Sequence, residues 1–359
     1  MSNIRICEED FSKHIELAKF LNLLDPQVFF YEYLTYMPQH HVYVTAIDEE
    51  GHIVGSQALM PYVLNINGKE ILTGRSERTL LSHSLRGRKY FPVLMNECVK
   101  RGNNRGLKFI WGATTAIKPF QETGFFFHHN FIEHSLCCLK PVAMIKSLIR
   151  ETRGRLKFKM AKLLTAPISM AIRTIKPLWI VNSGLDIRLK LENALDIIGL
   201  YDKLRKSQKI VSLVQDDKFI DWAYNLSSGR KYLRLYAYRE ERLRAYIHLD
   251  LTHPNVGYLA DFAELERGGI AILLQEAKVI LRNTNHSVIH ASYNIKNSQL
   301  RRTAKSLYQC GFVPISRDGH MCIRPLEFID INVLGDISMW YITQIWWELY
   351  KQPDKRPMC

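Results

Sequence analysis

Hydrophobic and polar positions along the chain follow a plan that occurs twice. Apolar residues at helical spacing run through Phe11–Leu24. Two strand-like runs follow, His41–Asp48 and His52–Leu59, parted by Asp48-Glu49-Glu50-Gly51, a turn whose glycine can take positive φ. A second hairpin is predicted from Tyr62–Ile66 to Glu70–Thr73 across Asn67-Gly68, the strongest short turn signal in the sequence. Then come a strand at Arg78–His83, a helix at about Phe91–Gly102 and a wholly apolar strand at Leu107–Gly112. From about Ile187 the plan restarts. Helical spacing over Leu189–Leu204 and a helix start at Asp216-Asp217 lead to strands at Tyr232–Tyr238, Arg242–Leu249 and Val256–Phe262. A helix at Ile270–Arg282, a strand at Ser287–Tyr293 and a helix at Ser298–Cys310 complete it. Such recurrence points to a duplicated or paired α/β unit rather than two unrelated modules. The tail after Pro325, with Trp340, Tyr341, Trp346 and Trp347, is expected to pack as a final helix; exposed, it would be an interface.

A length of 359 residues suits two domains, and 47% hydrophobic with 23% charged residues is the composition of a folded chain. Charge adds something new. Forty-nine Lys and Arg against 35 Asp and Glu leave a net +14, which favours polyanionic partners. Residues Lys146–Lys176 hold nine basic side chains and one acid, Glu151, and so carry eight of those fourteen charges. Leu148, Leu156, Met160, Leu163 and Leu164 recur among them at near-helical spacing. That reads as a basic amphipathic helix able to meet an acidic carrier protein or an anionic membrane surface, or as a linker whose charges are simply solvated. The expected division is 1–140, a basic connector 141–186, 187–330 and an aromatic tail 331–359. The apolar stretch Leu163–Ile172, broken by Pro167 and closed by Lys162 and Arg173, is well short of the roughly 20 residues a bilayer span needs. Glu8, Glu9 and Asp10 stand where a secretory signal would be apolar, so a cytoplasmic protein is expected, peripheral to the inner face of the membrane if the basic segment binds lipid. Seven scattered Cys without a CxxC pair read as reduced thiols, with no zinc site.

Candidate chemistry concentrates in residues 77–102. A strand ends in Ser82-His83-Ser84, a basic turn Arg86-Gly87-Arg88-Lys89 follows, and an amphipathic helix starts at once. Free N–H groups at a helix N-terminus, the helix dipole and nearby cations together make an anion site, and a pyrophosphate suits it. This unit, the meander ending in Ile53-Val54-Gly55, and Phe109-Ile110-Trp111-Gly112 followed by a short helix and Gly124-Phe125 resemble the GNAT-type N-acetyltransferase superfamily. Gly311-Phe312 repeats the ending in the second half, so the likeness is to tandem-domain members and covers most of the chain outside the basic segment and the tail. The resemblance implies an α/β (α+β) fold of two GNAT-like domains, each a mixed, mostly antiparallel central sheet flanked by helices. It also implies acetyl-CoA or another acyl thioester as co-substrate, no metal, and transfer of the acyl group to an amine. Leu81, Ser82, Arg86, Gly87, Arg88, Lys89 and Tyr90 would hold the donor, with a backbone N–H near Leu81 meeting the oxyanion. Glu77 is a candidate general base and His83 the other; an ion pair of Glu77 with Arg75 or Arg78, or a bystander His83, are the structural alternatives. Two departures stand out. The family's turn, Gln/Arg-x-x-Gly-x-Gly/Ala, keeps its first position at Arg86 but has Lys89 and Phe91 at the small positions, and Phe120 replaces the Tyr that would protonate the leaving thiolate. In the second half Glu266-Arg267-Gly268-Gly269 is only a faint echo of the basic turn, so the donor is expected in the first.

For the acceptor, Tyr31 and Tyr33 in the aromatic run Phe29–Tyr36, and Asp261, His290, Tyr293 and Asn294 at strand ends of the second half, could line a groove; core packing is the alternative. Four readings follow. One is acetyl transfer to a small-molecule amine such as an amino sugar or amino acid. Another is long-chain transfer from acyl carrier protein at a membrane, and a third is tRNA-dependent aminoacyl transfer to a cell-wall precursor. The fourth is a non-catalytic pair that binds membrane or nucleic acid. Basic residues without interleaved aromatics, and no zinc spacing or helix-turn-helix, argue against dedicated nucleic-acid recognition.

Overall fold

A computed structural model describes residues 4–8, 14–21, 31, 35–140, 184–193, 195–207, 209–224, 230–327 and 331–348. The basic segment 146–176, and with it the expected connector, lies outside them, as do Phe29, Phe30 and Tyr33. The first half runs β1 (Arg5–Glu8), α1 (His14–Phe20), β2 (Val42–Ile47), β3 (Ile53–Ile66), β4 (Lys69–Leu81), α2 (Tyr90–Asn104), β5 (Phe109–Ala113), α3 (Ile117–Gln121) and β6 (Phe126–Cys138). The second runs β7 (Asp186–Arg188), α4 (Leu195–Ser207), β8 (Val211–Leu213), α5 (Asp217–Ala223), β9 (Tyr232–Arg239), β10 (Arg242–Asp250), β11 (Val256–Glu264), α6 (Gly269–Arg282), β12 (Val288–Asn294), α7 (Ser298–Gln309) and β13 (Phe312–Pro325). Two short helices, α8 (Ile331–Gly335) and α9 (Ile345–Glu348), follow.

Most of the expected elements form within a few residues of their expected ends. Asn67 at φ 51° and Gly68 at φ 89° make the predicted tight hairpin. The two strands expected on each side of it are, however, single long strands, paired from Ile66–Lys69 to Gly55–Leu81. Pro61 does not break β3, because it falls between Leu59, where pairing with β2 ends, and Leu64, where pairing with β8 begins, so one edge of the strand carries no ladder there. The helix expected from Leu189 starts at Leu195, and residues 186–188 join the sheet against β9 instead. In place of one final helix, the described part of the tail has the short helices α8 and α9 and a 3₁₀ turn at Ile337–Met339; between them Trp340 and Thr343 make isolated bridges to Val211 and Tyr293. Among the described residues Cys7, Cys98, Cys137, Cys138, Cys310 and Cys322 are free thiols.

All thirteen strands form one sheet, ordered β1-β2-β3-β4-β5-β13-β6-β12-β11-β10-β9-β7, with β8 beside β3. Read from either end, the order is alike: five strands of one half, then the last strand of the other. β13 closes the edge of β5, β6 closes the edge of β12, and the two exchanged strands pair with each other from Phe312–Cys137 to Ile323–Phe126. Each half contains one parallel pair, β4 with β5 and β11 with β12, and the crossover between its strands includes a helix, α2 or α6. The apolar run Phe109–Gly112 is buried because β5 has neighbours on both edges and packed layers on both faces. Without the exchange β5 and β12 would each present an unpaired apolar edge, an aggregation surface. Expressed separately, residues 1–140 and 184–359 are therefore expected to aggregate or self-associate, and co-expressed to elute together as one complex in size-exclusion chromatography. A soluble, monomeric 1–140 fragment would contradict this.

Candidate active site

The first half opens where its parallel strands part. β4 and β5 are in register only at Gly74–Ile110 and Arg75–Trp111. At the next step the backbones are so close that a Cβ on Gly112 would lie 3.0 Å from the Ser76 carbonyl oxygen, and beyond it they diverge into a wedge. A bulge in β4 turns that strand away: Arg78, at φ 51°, and Thr79 have no register partner on β3. Buried Gln57 holds the bulge in shape. Its Nε2 donates to Ser76 Oγ (3.0 Å) and the Ala58 carbonyl (2.9 Å), and its Oε1 accepts from Thr79 Oγ1 (2.6 Å). Ser56 Oγ donates to the Arg78 carbonyl (2.7 Å).

Beyond β4, residues His83–Leu85 form one 3₁₀ turn, Gly87 takes φ 76° and Lys89 φ 62°, and α2 begins with no side-chain cap. Arg86, Gly87, Arg88 and Lys89 are exposed around that uncapped end, and Arg86 Nε donates back to the Leu81 carbonyl (3.2 Å). Helix N–H groups and three cations thus lie together in an arrangement that could cradle an anion.

Wedge and exchanged strands together line a half-open cavity of about 650 Å³. One wall is Ser76, Glu77, Arg78 and Thr79 of β4 with Gly112 and Ala113 of β5; the other brings His134 of β6, Ser292 of β12 and Asp318 and His320 of β13. His134 Nδ1 lies 2.8 Å from Ser292 Oγ and its Nε2 2.7 Å from Asp318 Oδ1. Phe120, in the lining, packs its ring on Phe91, with centroids 4.9 Å apart.

No family model matches the chain, and no curated protein matches its sequence. Solved structures do. A probable N-acyltransferase of Enterococcus faecalis V583 superposes with a TM-score of 0.61 at 10% identity, over 90% of this chain and 73% of that one. N-myristoyltransferase of Saccharomyces cerevisiae, with bound myristoyl-CoA, gives 0.60 at 13% identity, over 90% and 79%. A tandem GNAT protein from the clavulanic acid biosynthesis pathway gives 0.57 at 12%, over 91% and 100%. The chain has a tandem GNAT fold.

Within this tandem GNAT fold the two halves differ where a donor would sit. β11 and β12 also part, after Leu259–Ala291, but their wedge is filled by the chain's own tail. Thr343 Oγ1 donates to Asp261 (2.6 Å) and Tyr341 to the Phe262 carbonyl (3.1 Å), while Asn294 Nδ2 donates to the carbonyls of Ile337 (2.7 Å) and Trp340 (2.8 Å). The N-terminus of α6 is filled too. The buried Glu264 carboxylate accepts from the N–H groups of Gly268 (3.2 Å) and Ile270 (3.1 Å), as a bound anion would.

The residues singled out from the sequence are distributed unevenly around this site. Glu77 is in the lining and makes an ion pair with Arg75, whose Nη1 also donates to the Trp346 carbonyl (2.6 Å). Arg86, Gly87, Arg88, Lys89 and Tyr90 form the cradle, with Leu81 opposite Gly55 and the Ser82 N–H donating to the Val54 carbonyl (2.8 Å) at the strand end beside it. His83 is exposed, outside the cavity lining. Asp261 and Tyr293 are buried away from the lining, bonded to Thr343, Tyr246 and Gln215 and to Glu133 respectively. Tyr31 packs against the main core, and Tyr33 lies outside the described residues. Sequence reasoning missed Gln57, His134, Ser292 and Asp318; none stands in a local motif, and the last three meet only through the exchange of strands.

Burial raises the Glu264 carboxyl to about 7, while the Ile270 N–H, the Ser306 hydroxyl and the Gly268 N–H favour its charged form. Folded protein therefore holds this proton more tightly than the unfolded chain, where Glu titrates near ~4.3. Its contribution to stability is full below that value and is lost as pH rises through about 7. Unfolding in urea is expected to show a decline on the order of 3 kcal/mol from this group between about pH 4 and pH 8. In Glu264→Gln that decline should be absent; an unchanged slope would assign the proton to another group.

Proposed function

We propose that this protein is an N-acyltransferase that takes an acyl thioester, foremost acetyl-CoA, into its first half and passes the acyl group to the amine of a small molecule such as an amino sugar or amino acid. The observation that carries this reading is the asymmetry between the halves. Wedge and helix end are both filled by the chain's own groups in the second half, and in the first half the wedge opens into the cavity and the helix end is uncapped. A wedge beside an anion cradle fits a molecule with an apolar thioester end and a pyrophosphate. Arg86, Arg88 and Lys89 with the α2 N-terminus would hold the phosphates, Leu81 and Ser82 would flank the pantetheine-like arm, and the bulge at Arg78-Thr79 would bring a backbone N–H to the thioester carbonyl.

The lining offers an amine acceptor one anionic anchor, Asp318, which is bonded to His134; Glu77 is balanced by Arg75, Arg78 also lines the wall, and the remaining cations cluster outside at the α2 turn. Asp318 would attract an ammonium group while the polyphosphate is held at the rim. Phe120 offers no proton to the departing thiolate, so solvent must supply it.

Titration calorimetry with acetyl-CoA tests the donor site. Replacing Arg86, Arg88 and Lys89 together by Ala is expected to weaken binding about 10- to 100-fold, taking ~0.5–1 kcal/mol for each exposed charged contact. Wild-type affinity should also fall as salt rises. No binding by the wild type, or a triple variant that binds equally well, would overturn the assignment. Thiol release from acetyl-CoA across a panel of amines then identifies the acceptor class.

A further inference from the structure

Ser292, His134 and Asp318 come from three strands and form one hydrogen-bonded chain in the cavity wall. Its polarity follows from chemistry. Asp318 is placed to accept, so the His134 nitrogen facing it, Nε2, carries the hydrogen. In a neutral ring Nδ1 is then an acceptor, and the hydroxyl of Ser292 donates to it. The Ser292 oxygen keeps lone pairs for a further donor. Exposure rises along the chain. Ser292 is 3% exposed, the His134 side chain 23% and the Asp318 side chain 62%, so the chain leads from the interior to water. The stacked ring of His290, with centroids 5.4 Å apart and planes 8° from parallel, keeps the imidazole in this plane.

We propose that Ser292, His134 and Asp318 are the proton exit of the transfer reaction. This rests on the acyltransferase reading above. The acceptor first gives its ammonium proton to water; the neutral amine nitrogen then attacks the thioester carbonyl, the C–N bond forms and the C–S bond breaks. As it does so, one amine proton passes to Ser292 Oγ while the proton of Ser292 moves to His134 Nδ1. His134 then returns its extra proton to solvent past Asp318, and the departing thiolate takes one from solvent, so protons balance. Ser292 is the catalytic residue, since it meets the amine; His134 and Asp318 are positioning residues that act through it. Glu77 is less suited to the task because its carboxylate is held in an ion pair with Arg75. Among the described residues, the titratable groups in contact with His134 are His290 from β12 and Asp318 from β13.

The test compares wild type, Ser292→Ala, His134→Gln and Asp318→Asn. Each is given acetyl-CoA and the best amine from the thiol-release panel, and separately hydroxylamine, which is neutral at pH 7 and needs no base to become a nucleophile. His134→Gln and Ser292→Ala are expected to lose roughly 100-fold or more in kcat with the amine. They should lose far less with hydroxylamine and keep wild-type acetyl-CoA affinity by calorimetry. Asp318→Asn is expected to show a smaller loss with the same preference for hydroxylamine. Equal losses with both nucleophiles would reduce the three residues to structural ones. An acetyl adduct on Ser292, seen by intact mass without an acceptor, would overturn the exit in favour of a covalent intermediate. Wild type that neither binds acetyl-CoA nor releases thiol would overturn the acyltransferase reading itself, and the exit with it.

Discussion

The antiparallel pairing of β6 with β13 is the constraint on which the rest of the molecule depends. Each of these strands ends the chain of one half and completes the sheet of the other, so the core of neither half is closed by its own residues alone. The pairing also builds the site. His134 lies on β6, Asp318 on β13 and Ser292 on the β12 strand that β6 covers, so folding of both halves is required before the three meet. The cavity is thus a product of long-range contacts, its hydrogen bonds joining residues 158 and 184 apart in sequence.

Duplication of one plan leaves two wedges and two helix ends, each with parted backbone to satisfy. Buried polar backbone must find partners. In the second half the tail and Glu264 provide them. In the first half Gln57 satisfies the bulge from behind, leaving the front of the wedge to the cavity. The same architecture therefore has its wedge filled in one copy and open in the other. The difference comes from a few side chains and one tail segment.

How much of this the sequence made legible follows from the range of each signal. Local features came through. Asn67-Gly68, the capping Asp216, the helical stripes and the Arg86–Lys89 turn all act within a few residues, and the plan of each half was recovered from them. β6 and β13 were not foreseen as strands, since their edges, histidines and exposed positions follow no simple alternation. Nor does periodicity say which edge a final strand will join, and so the Ser292–His134–Asp318 chain was invisible. Asp261 shows the opposite limit. A carboxylate in an apolar strand suggested a groove, but the structure gives it Thr343, Tyr246 and Gln215 as partners inside the protein.

The two departures from the family's motif turn out to be a single one. Phe91 stands where a small residue would let backbone approach phosphate, and Phe120 where a hydroxyl would protonate a thiolate; their rings pack together beneath the first turn of α2. Phe91 is nearly buried, so its bulk is turned into the core rather than across the helix end, and the cradle's N–H groups stay accessible. That contact, worth about 0.5–1.5 kcal/mol beyond simple burial, ties the floor of the cavity to the start of the anion cradle. Phe120 and Phe91 are therefore best understood as one packing unit that joins the lining of the cavity to the first turn of α2.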